Sequence, residues 1–262
     1  MKKTYAILFF VVLVCPCMAS AITVDELIGK VLEVRQMQFD FVGDMVCQAE
    51  QYEKKEDSDG NIKETKKLIK TVYVKKIDGR FEVREDYDEY YLNGQKQDDK
   101  ALADEVEQIK KDKKRRGNRD LMYDLLAPLR DKNRRMYSFN LDTNVVDMDG
   151  FNCYRLNGTA TADNDTLLNY KYYFDTASYH LVKADFTPAH LTDNFFFKLK
   201  EFDMVMTFEP YNDSLWVPYR FKITGKGKAM LFIGVNFEAE EIYLNPRINV
   251  GLPDSLFSNL DN

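Results

Sequence analysis

The chain has 262 residues, 37 Lys and Arg against 43 Asp and Glu, and a formal net charge of −6. Hydrophobic residues at 45% and aromatics at 13% exclude a disordered chain. The acidic balance excludes nucleic acid as the expected partner, and two histidines in the whole chain leave little room for His-based catalysis or a His-rich metal site.

Met1-Lys2-Lys3 followed by the apolar run Tyr5 to Val14 and by Ala19-Ser20-Ala21 has the build of a secretory signal peptide over residues 1–21, with cleavage before Ile22. Acylation at Cys15 or Cys17 wants a small preceding residue, and Val14 and Pro16 stand there instead. A periplasmic protein is therefore expected, with a membrane-anchored lipoprotein as the rival. Two cysteines remain beyond the leader, Cys47 and Cys153. They sit in unlike alternating patterns and read as separate, partly buried thiols.

Thr23-Val24-Asp25-Glu26 is a capping box, and Val24, Leu27, Ile28, Val31 and Leu32 form one apolar stripe on a helix of about 14 residues. Residues 38–53 alternate, with Phe39, Phe41, Met45, Cys47 and Ala49 on one side, and read as a strand. Asp57 to Asn61 is a turn, and strands follow at 68–77 and 80–91, joined by Asp78-Gly79 and closed by Asn93-Gly94. A helical insert occupies about residues 98–127, with Leu102, Val106 and Ile109 on one helix and Leu121, Met122, Leu125 and Leu126 on a second. The basic run Lys110 to Arg116 reads as a solvated helix face. Strands return at 137–147, 151–160, 167–175, 179–187, 195–208, 215–224, 228–237 and 239–243. Asp149-Gly150, Asp163-Asn164-Asp165, Asp175-Thr176, Tyr211-Asn212-Asp213 and Gly225-Lys226-Gly227 serve as turns.

This order predicts a mainly β protein with helices, of the α+β class. Its large antiparallel sheet of about eleven strands should twist into an open half-barrel. The N-terminal helix and the mid-chain insert should cover the concave face, and residues 22–262 should form a single domain.

No nucleophile elbow, phosphate loop, dinucleotide fingerprint or zinc-protease motif occurs. Aligning Gly60 to the glycine of a calcium loop puts Lys55 and Lys66 where acids are needed. His180 and His190 read as structural. No catalytic residue, metal or cofactor is expected, and the chain reads as a binding protein. What stands out is a surplus of large apolar residues on alternating strand faces. These residues build either a plain core or an adaptable greasy cavity, to which Met brings soft torsions. The cavity candidates are Phe41, Met45, Phe139, Tyr154, Tyr172, Met204, Met206 and Phe221.

Several stretches, taken in order, resemble the outer-membrane lipoprotein-sorting proteins of the LolA/LolB-like superfamily. They are Thr23 to Met37 with Phe39-Asp40-Phe41-Val42-Gly43-Asp44-Met45, then Asn133 to Phe139 after Pro128-Leu129, then Asp147 to Leu156. Tyr172-Tyr173-Phe174-Asp175-Thr176 through Leu181-Val182-Lys183-Ala184 and Leu215 to Phe221 complete the series. The resemblance implies an open β-barrel with helices over its mouth and a hydrophobic cavity that shields lipoprotein acyl chains or other lipid without covalent chemistry. A monomer is expected. A related branch senses envelope stress, so the alternative is a sensing or scaffolding module that offers the same half-barrel to envelope membrane proteins.

Overall fold

The structure is a computed structural model, which describes residues 22–116, 125–161, 167–191, 197–229 and 233–258. The expected leader, the expected second helix of the insert over 121–124 and the expected turn at Asp163-Asn164-Asp165 fall outside the described residues.

Helix α1 (Val24–Phe41) opens the chain. Its capping box is formed: the Glu26 N–H donates to Thr23 Oγ1 at 3.3 Å, and the Thr23 N–H donates to Glu26 Oε2 at 2.8 Å. A meander follows as β1 (Asp44–Glu56), β2 (Ile62–Ile77), β3 (Arg80–Leu92) and the short β4 (Gln95–Lys96). Helix α2 (Asp99–Arg116) begins the insert, and the one-turn α3 (Asp131–Arg134) ends it. The second meander is β5 (Tyr137–Leu141), β6 (Val146–Met148), β7 (Phe151–Ala160), β8 (Leu168–Asp175), β9 (Leu181–Pro188), β10 (Phe197–Asn212), β11 (Leu215–Ala229) and β12 (Ile233–Ile248).

All these strands join one 12-stranded sheet in the order β4-β3-β2-β1-β12-β11-β10-β9-β8-β7-β5, with β6 also on β7. The last strand, β12, lies between β1 and β11 and so joins the two meanders. The sheet stays open, with β4 and β5 at its edges. This is the expected antiparallel half-barrel with an N-terminal helix. Asp78-Gly79, Asn93-Gly94 and Asp149-Gly150 each put both turn residues at positive φ, as a two-residue hairpin of the strand-matching twist requires.

Three local readings differ from the structure. The helix does not stop near Met37 but runs 18 residues to Phe41, so Phe39 and Phe41 are helical. The period of 3.6 from Val31 through Val34 and Phe39 to Val42 prevails over the two-residue alternation around Asp40. Gly225-Lys226-Gly227 is not a turn but lies inside β11. A Cβ at Gly225 would sit 2.4 Å from the Phe237 ring, and one at Gly227 would sit 2.7 Å from the Lys198 carbonyl. These glycines permit close approach within a strand rather than reversal of the chain. Consequently 228–237 and 239–243 do not form two strands; β12 is continuous from Ile233 to Ile248. Residues 137–147 divide instead into β5 and β6.

Cross-strand registers assign the concave face. Leu156, Tyr172, Ala184, Met206 and Phe221 follow one another from β7 to β11, then Glu241 on β12, Gln51 on β1, Leu68 on β2 and Tyr90 on β3. On the β7–β11 half, Leu27, Ile28 and Val31 of α1, with Leu125, Leu126 and Leu129, bury Leu156, Tyr172, Phe174, Phe186 and Met206 in one core. The Tyr172 hydroxyl donates to the Leu125 carbonyl at 2.7 Å, so the one polar atom of this ring is satisfied. The β12–β3 half is partly polar. Lys70, 2% exposed, lies between Glu85 at 2.8 Å and Glu241 at 3.0 Å. Lys66 of β2 reaches Glu105 of α2 at 2.7 Å, which ties the insert to this end.

The C-terminal segment is clasped to the start of β1. Buried Asp44 accepts the N–H groups of Val250, Gly251 and Leu252 at 2.7, 3.0 and 3.0 Å. Asn249 Oδ1 accepts the Gly43 N–H at 2.7 Å.

Cys47 and Cys153 are both free and buried, as their separate patterns suggested. Burial pushes both thiols up to about 12, with Glu241 adding to the effect at Cys47 and Asp175 at Cys153. Neither supplies appreciable thiolate at pH 8. Iodoacetamide at that pH should leave the folded protein unmodified and add to both thiols once urea is present without reductant. Prompt native alkylation, or resistance in urea until a reductant is added, would contradict this placement.

Candidate functional site

Where α1 crosses from the β9–β11 side towards the start of β1, it does not close onto the sheet. A cavity of about 90 Å³ remains, open on one side. That is several times the space one water needs. From α1 the stripe Val31, Val34, Arg35, Gln38, Phe39 and Val42 faces it. Across from the helix stand Met45 of β1, Val74 of β2, Phe81 of β3 and Ile248 of β12. Leu215, Trp216, Val217 and Pro218 at the start of β11 form a third wall, with Phe208, Tyr179, Leu181, Leu125 and Leu126 behind.

Local chemistry explains these positions. Phe39 meets Phe81 edge to face at 5.2 Å, which holds the last turn of α1 against β3. Lys76 Nζ donates to the Phe39 carbonyl at 2.8 Å and so caps one of the open carbonyls at the helix end. Trp216 stacks on His180 at 5.6 Å. Burial holds that histidine below its usual range, with Nε2 3.3 Å from the Ser214 carbonyl, so it is neutral at pH 7 and serves packing. Gln38 Nε2 donates to the Trp216 carbonyl at 3.5 Å. A smaller void of about 10 Å³ shares Met45 and Pro218 with the main cavity and extends it towards Cys47, Val72 and Tyr243.

Of the residues read from the sequence as cavity candidates, Met45 borders both voids. Tyr172, Met206 and Met204 are 0%, 1% and 5% exposed and lie in the packed core. Phe139, Tyr154 and Phe221 are partly buried against that core. Phe41 is 59% exposed, because the extra helical turn carries it to the outer side of α1. Tyr154, Tyr172, Met204, Met206 and Phe221 do share the concave face, but α1 and Leu125 to Leu129 fill the space over them. Alternation alone missed Val31, Val34, Arg35, Gln38 and Trp216. Val31, Val34 and Arg35 precede Met37 on the helix already expected from the sequence, and extending the helical spacing past Met37 would have added Gln38.

The walls offer no nucleophile beside a base. Among the described residues no group of His, Cys, Asp and Glu could hold a metal ion. The arrangement can bind an apolar group and place a few polar contacts at its edge.

No family model and no curated protein matches the chain. Solved structures similar to it include a DUF1329 family protein from Desulfovibrio piger ATCC 29098, at 13% identity and TM-score 0.47, covering 89% of this chain and 96% of that one. A putative outer membrane lipoprotein-sorting protein domain from Vibrio parahaemolyticus matches at 14% identity and TM-score 0.47, over 88% of this chain and 97% of that one. A LolA superfamily protein from Nitrosomonas europaea matches at 13% identity and TM-score 0.32, over 91% and 98%.

Proposed function

We propose that this chain is a periplasmic binding protein that holds an acyl chain non-covalently, as a carrier in outer-membrane lipoprotein sorting. The observation that carries the reading is the apolar void between α1 and the concave face, walled by Val, Leu, Phe, Met and Trp side chains. Each methylene moved from water into such a place contributes about 0.8 kcal/mol. Four or five of them give about 3–4 kcal/mol, enough to hold a chain end and weak enough to release it. Delivery then needs only an acceptor of comparable greasiness. The leader over residues 1–21 supports export, and among the described residues no helix is long and apolar enough to cross a membrane.

The test is titration of a fluorescent acyl probe into the purified protein, with Val34→Trp as the variant that fills the void. The variant should weaken probe binding at least tenfold while its circular dichroism spectrum stays that of the parent. A folded parent protein that binds no probe would overturn the reading.

Met37 and Phe41, 57% and 59% exposed on the outer side of α1, favour a second reading. Here the half-barrel is a sensing or scaffolding module that docks an envelope membrane protein on that side. It predicts that Met37→Ser with Phe41→Ser abolishes partner capture without touching acyl binding.

A further inference from the structure

An open sheet leaves strand edges, which proteins guard with charge, with bulges or with a cover. The edge strand β4 has two residues and pairs only with Tyr91 and Leu92 of β3. From Arg80 to Tyr87, β3 meets β2 on one side, and among the described residues no strand pairs with its other side. The Asp78-Gly79 hairpin decides which backbone groups face outward. In a two-residue hairpin the flanking residues, here Ile77 and Arg80, form a hydrogen-bonded pair, and such pairs alternate along the ladder. Arg80, Glu82, Arg84 and Asp86 therefore turn their N–H and C=O groups towards β2, whereas Val83 belongs to the alternate set that turns them away. Beyond Tyr87 the register shifts, and Asp88 stands opposite no residue of β2, so the regular stretch ends there. Tyr87 opposes Lys70 of the concave side, which puts Val83 on that side and the charged set on the convex one. The convex row thus reads Arg80, Glu82, Arg84, Asp86, a strict alternation of sign.

We propose that this edge binds a second copy of the chain, β3 antiparallel to β3, about a two-fold axis at Val83. Val83 then opposes its own counterpart, Arg80 opposes Asp86 and Glu82 opposes Arg84, each charged pair occurring twice by symmetry. Every one of these pairs joins opposite charges. They also fall at non-hydrogen-bonded positions, where Cα atoms stand about 4.5 Å apart and side chains meet most closely. Moving the axis to Glu82 sets that residue against itself and Arg80 against Arg84. Moving it to Arg84 sets that residue against itself and Glu82 against Asp86. Neighbouring registers are thus penalised by like charges, and the Val83 register is selected. Arg84 and Asp86 already meet along the strand at 2.9 Å, and Arg84 also donates to the Leu256 carbonyl. The second copy extends this row of charges and breaks neither contact. Because the axis is normal to the sheet, both concave faces turn to the same side, and each cavity has its Phe81 wall near the axis. A single strand pair buries less than a standard interface, so the dimer is weak and depends on concentration. It takes the place of the monomer expected from the sequence and is independent of the acyl-binding reading.

The experiment is sedimentation velocity of the purified protein from about 5 to about 500 μM in about 50 mM salt. The parent should pass from monomer to dimer with a Kd of about 10–100 μM, and about 0.5 M salt should weaken the dimer several-fold, since its ion pairs lie at the surface. Arg80→Glu and Asp86→Lys, each a surface change, should each weaken self-association about tenfold or more, because each sets like charges against each other in two of the four pairs. Mixed in equal amounts, the two variants carry complementary charges and should associate within about threefold of the parent. Circular dichroism of both variants should match the parent. A parent that stays monomeric over the whole range overturns the proposal. So does a dimer that either variant leaves intact, which would place the contact elsewhere, and so does loss in both variants without recovery on mixing. Acyl-probe titration of the same samples should give the parent's affinity throughout, so failure of the dimer and failure of acyl binding are read separately.

Discussion

Lys70→Ala is expected to destabilise the protein by about 3–5 kcal/mol, the largest effect of any single charge removal on the sheet. Lys70 sits on the concave side of β2, 2% exposed, and its ammonium joins three strands: Glu85 of β3, Glu241 of β12 and, at 3.4 Å, the amide oxygen of Gln51 on β1. Removing it leaves two largely buried carboxylates without the cation they share. The Tyr87 hydroxyl, which donates to Glu85 at 2.8 Å, cannot compensate for a missing charge. Burial alone would lower the lysine pKa, but Glu241 and Glu85 more than offset it and raise it above 10.5. A cation whose pKa is raised on folding contributes fully below the unfolded value. That contribution is lost as pH climbs through the folded one. Urea unfolding should therefore show the network intact at pH 7 and weakening only above about pH 10.5. The triple change Lys70→Met, Glu85→Gln and Glu241→Gln should recover most of the loss, because no orphaned charge remains. A triple variant as unstable as Lys70→Ala would show that the cost lies in packing and not in charge.

That network also marks how far the sequence could be read. Alternation put Ala49 and Cys47 on an apolar face, and turn chemistry placed the hairpins at Asp78-Gly79, Asn93-Gly94 and Asp149-Gly150, so the first meander and part of the second were legible. Lys70 looked like one more surface lysine of a charged strand, since its two acids lie 15 and 171 residues away in β3 and β12. Only the pairing of β12 between the meanders brings Glu241 to it. The same pairing sets the end of β12 beside the start of β1, where Met45 and Ile248 face each other across the cavity rim. Phe41 illustrates a local failure of a different kind. Two phenylalanines flanking Asp40 satisfy a period of two and, with Val34 and Val42, nearly satisfy a period of 3.6. The longer pattern extends a helix already nucleated, capped and packed, so it prevails. Which part of the concave face stays empty depends on where α1 and Leu125 to Leu129 come to rest. No periodicity within a strand encodes that.

The second large effect separates core from cavity with one residue type. Met206→Ala should cost about 2–5 kcal/mol and Met45→Ala about 1 kcal/mol or less. Met206 is 1% exposed, and on the sheet it stands between Ala184 of β9 and Phe221 of β11. Truncation there opens a new void in close-packed surroundings that can relax only in part, so lost transfer energy and cavity cost add. Met45 already faces two voids and has fewer packing partners to lose. Its truncation mainly enlarges existing space. The two should differ in function in the opposite sense. Met206→Ala, assayed where it remains folded, should bind the acyl probe within about twofold of the parent. Met45→Ala should shift the affinity or the chain-length preference several-fold, because its methyl group forms part of the wall a tail would touch. Urea midpoints at unchanged m-value give the stability arm, and probe titration with tails of increasing length gives the other. Equal destabilisation by the two changes would place Met45 in the core and remove it from the site. A large loss of probe binding in Met206→Ala alone would move the acyl site to the β7–β11 half of the concave face.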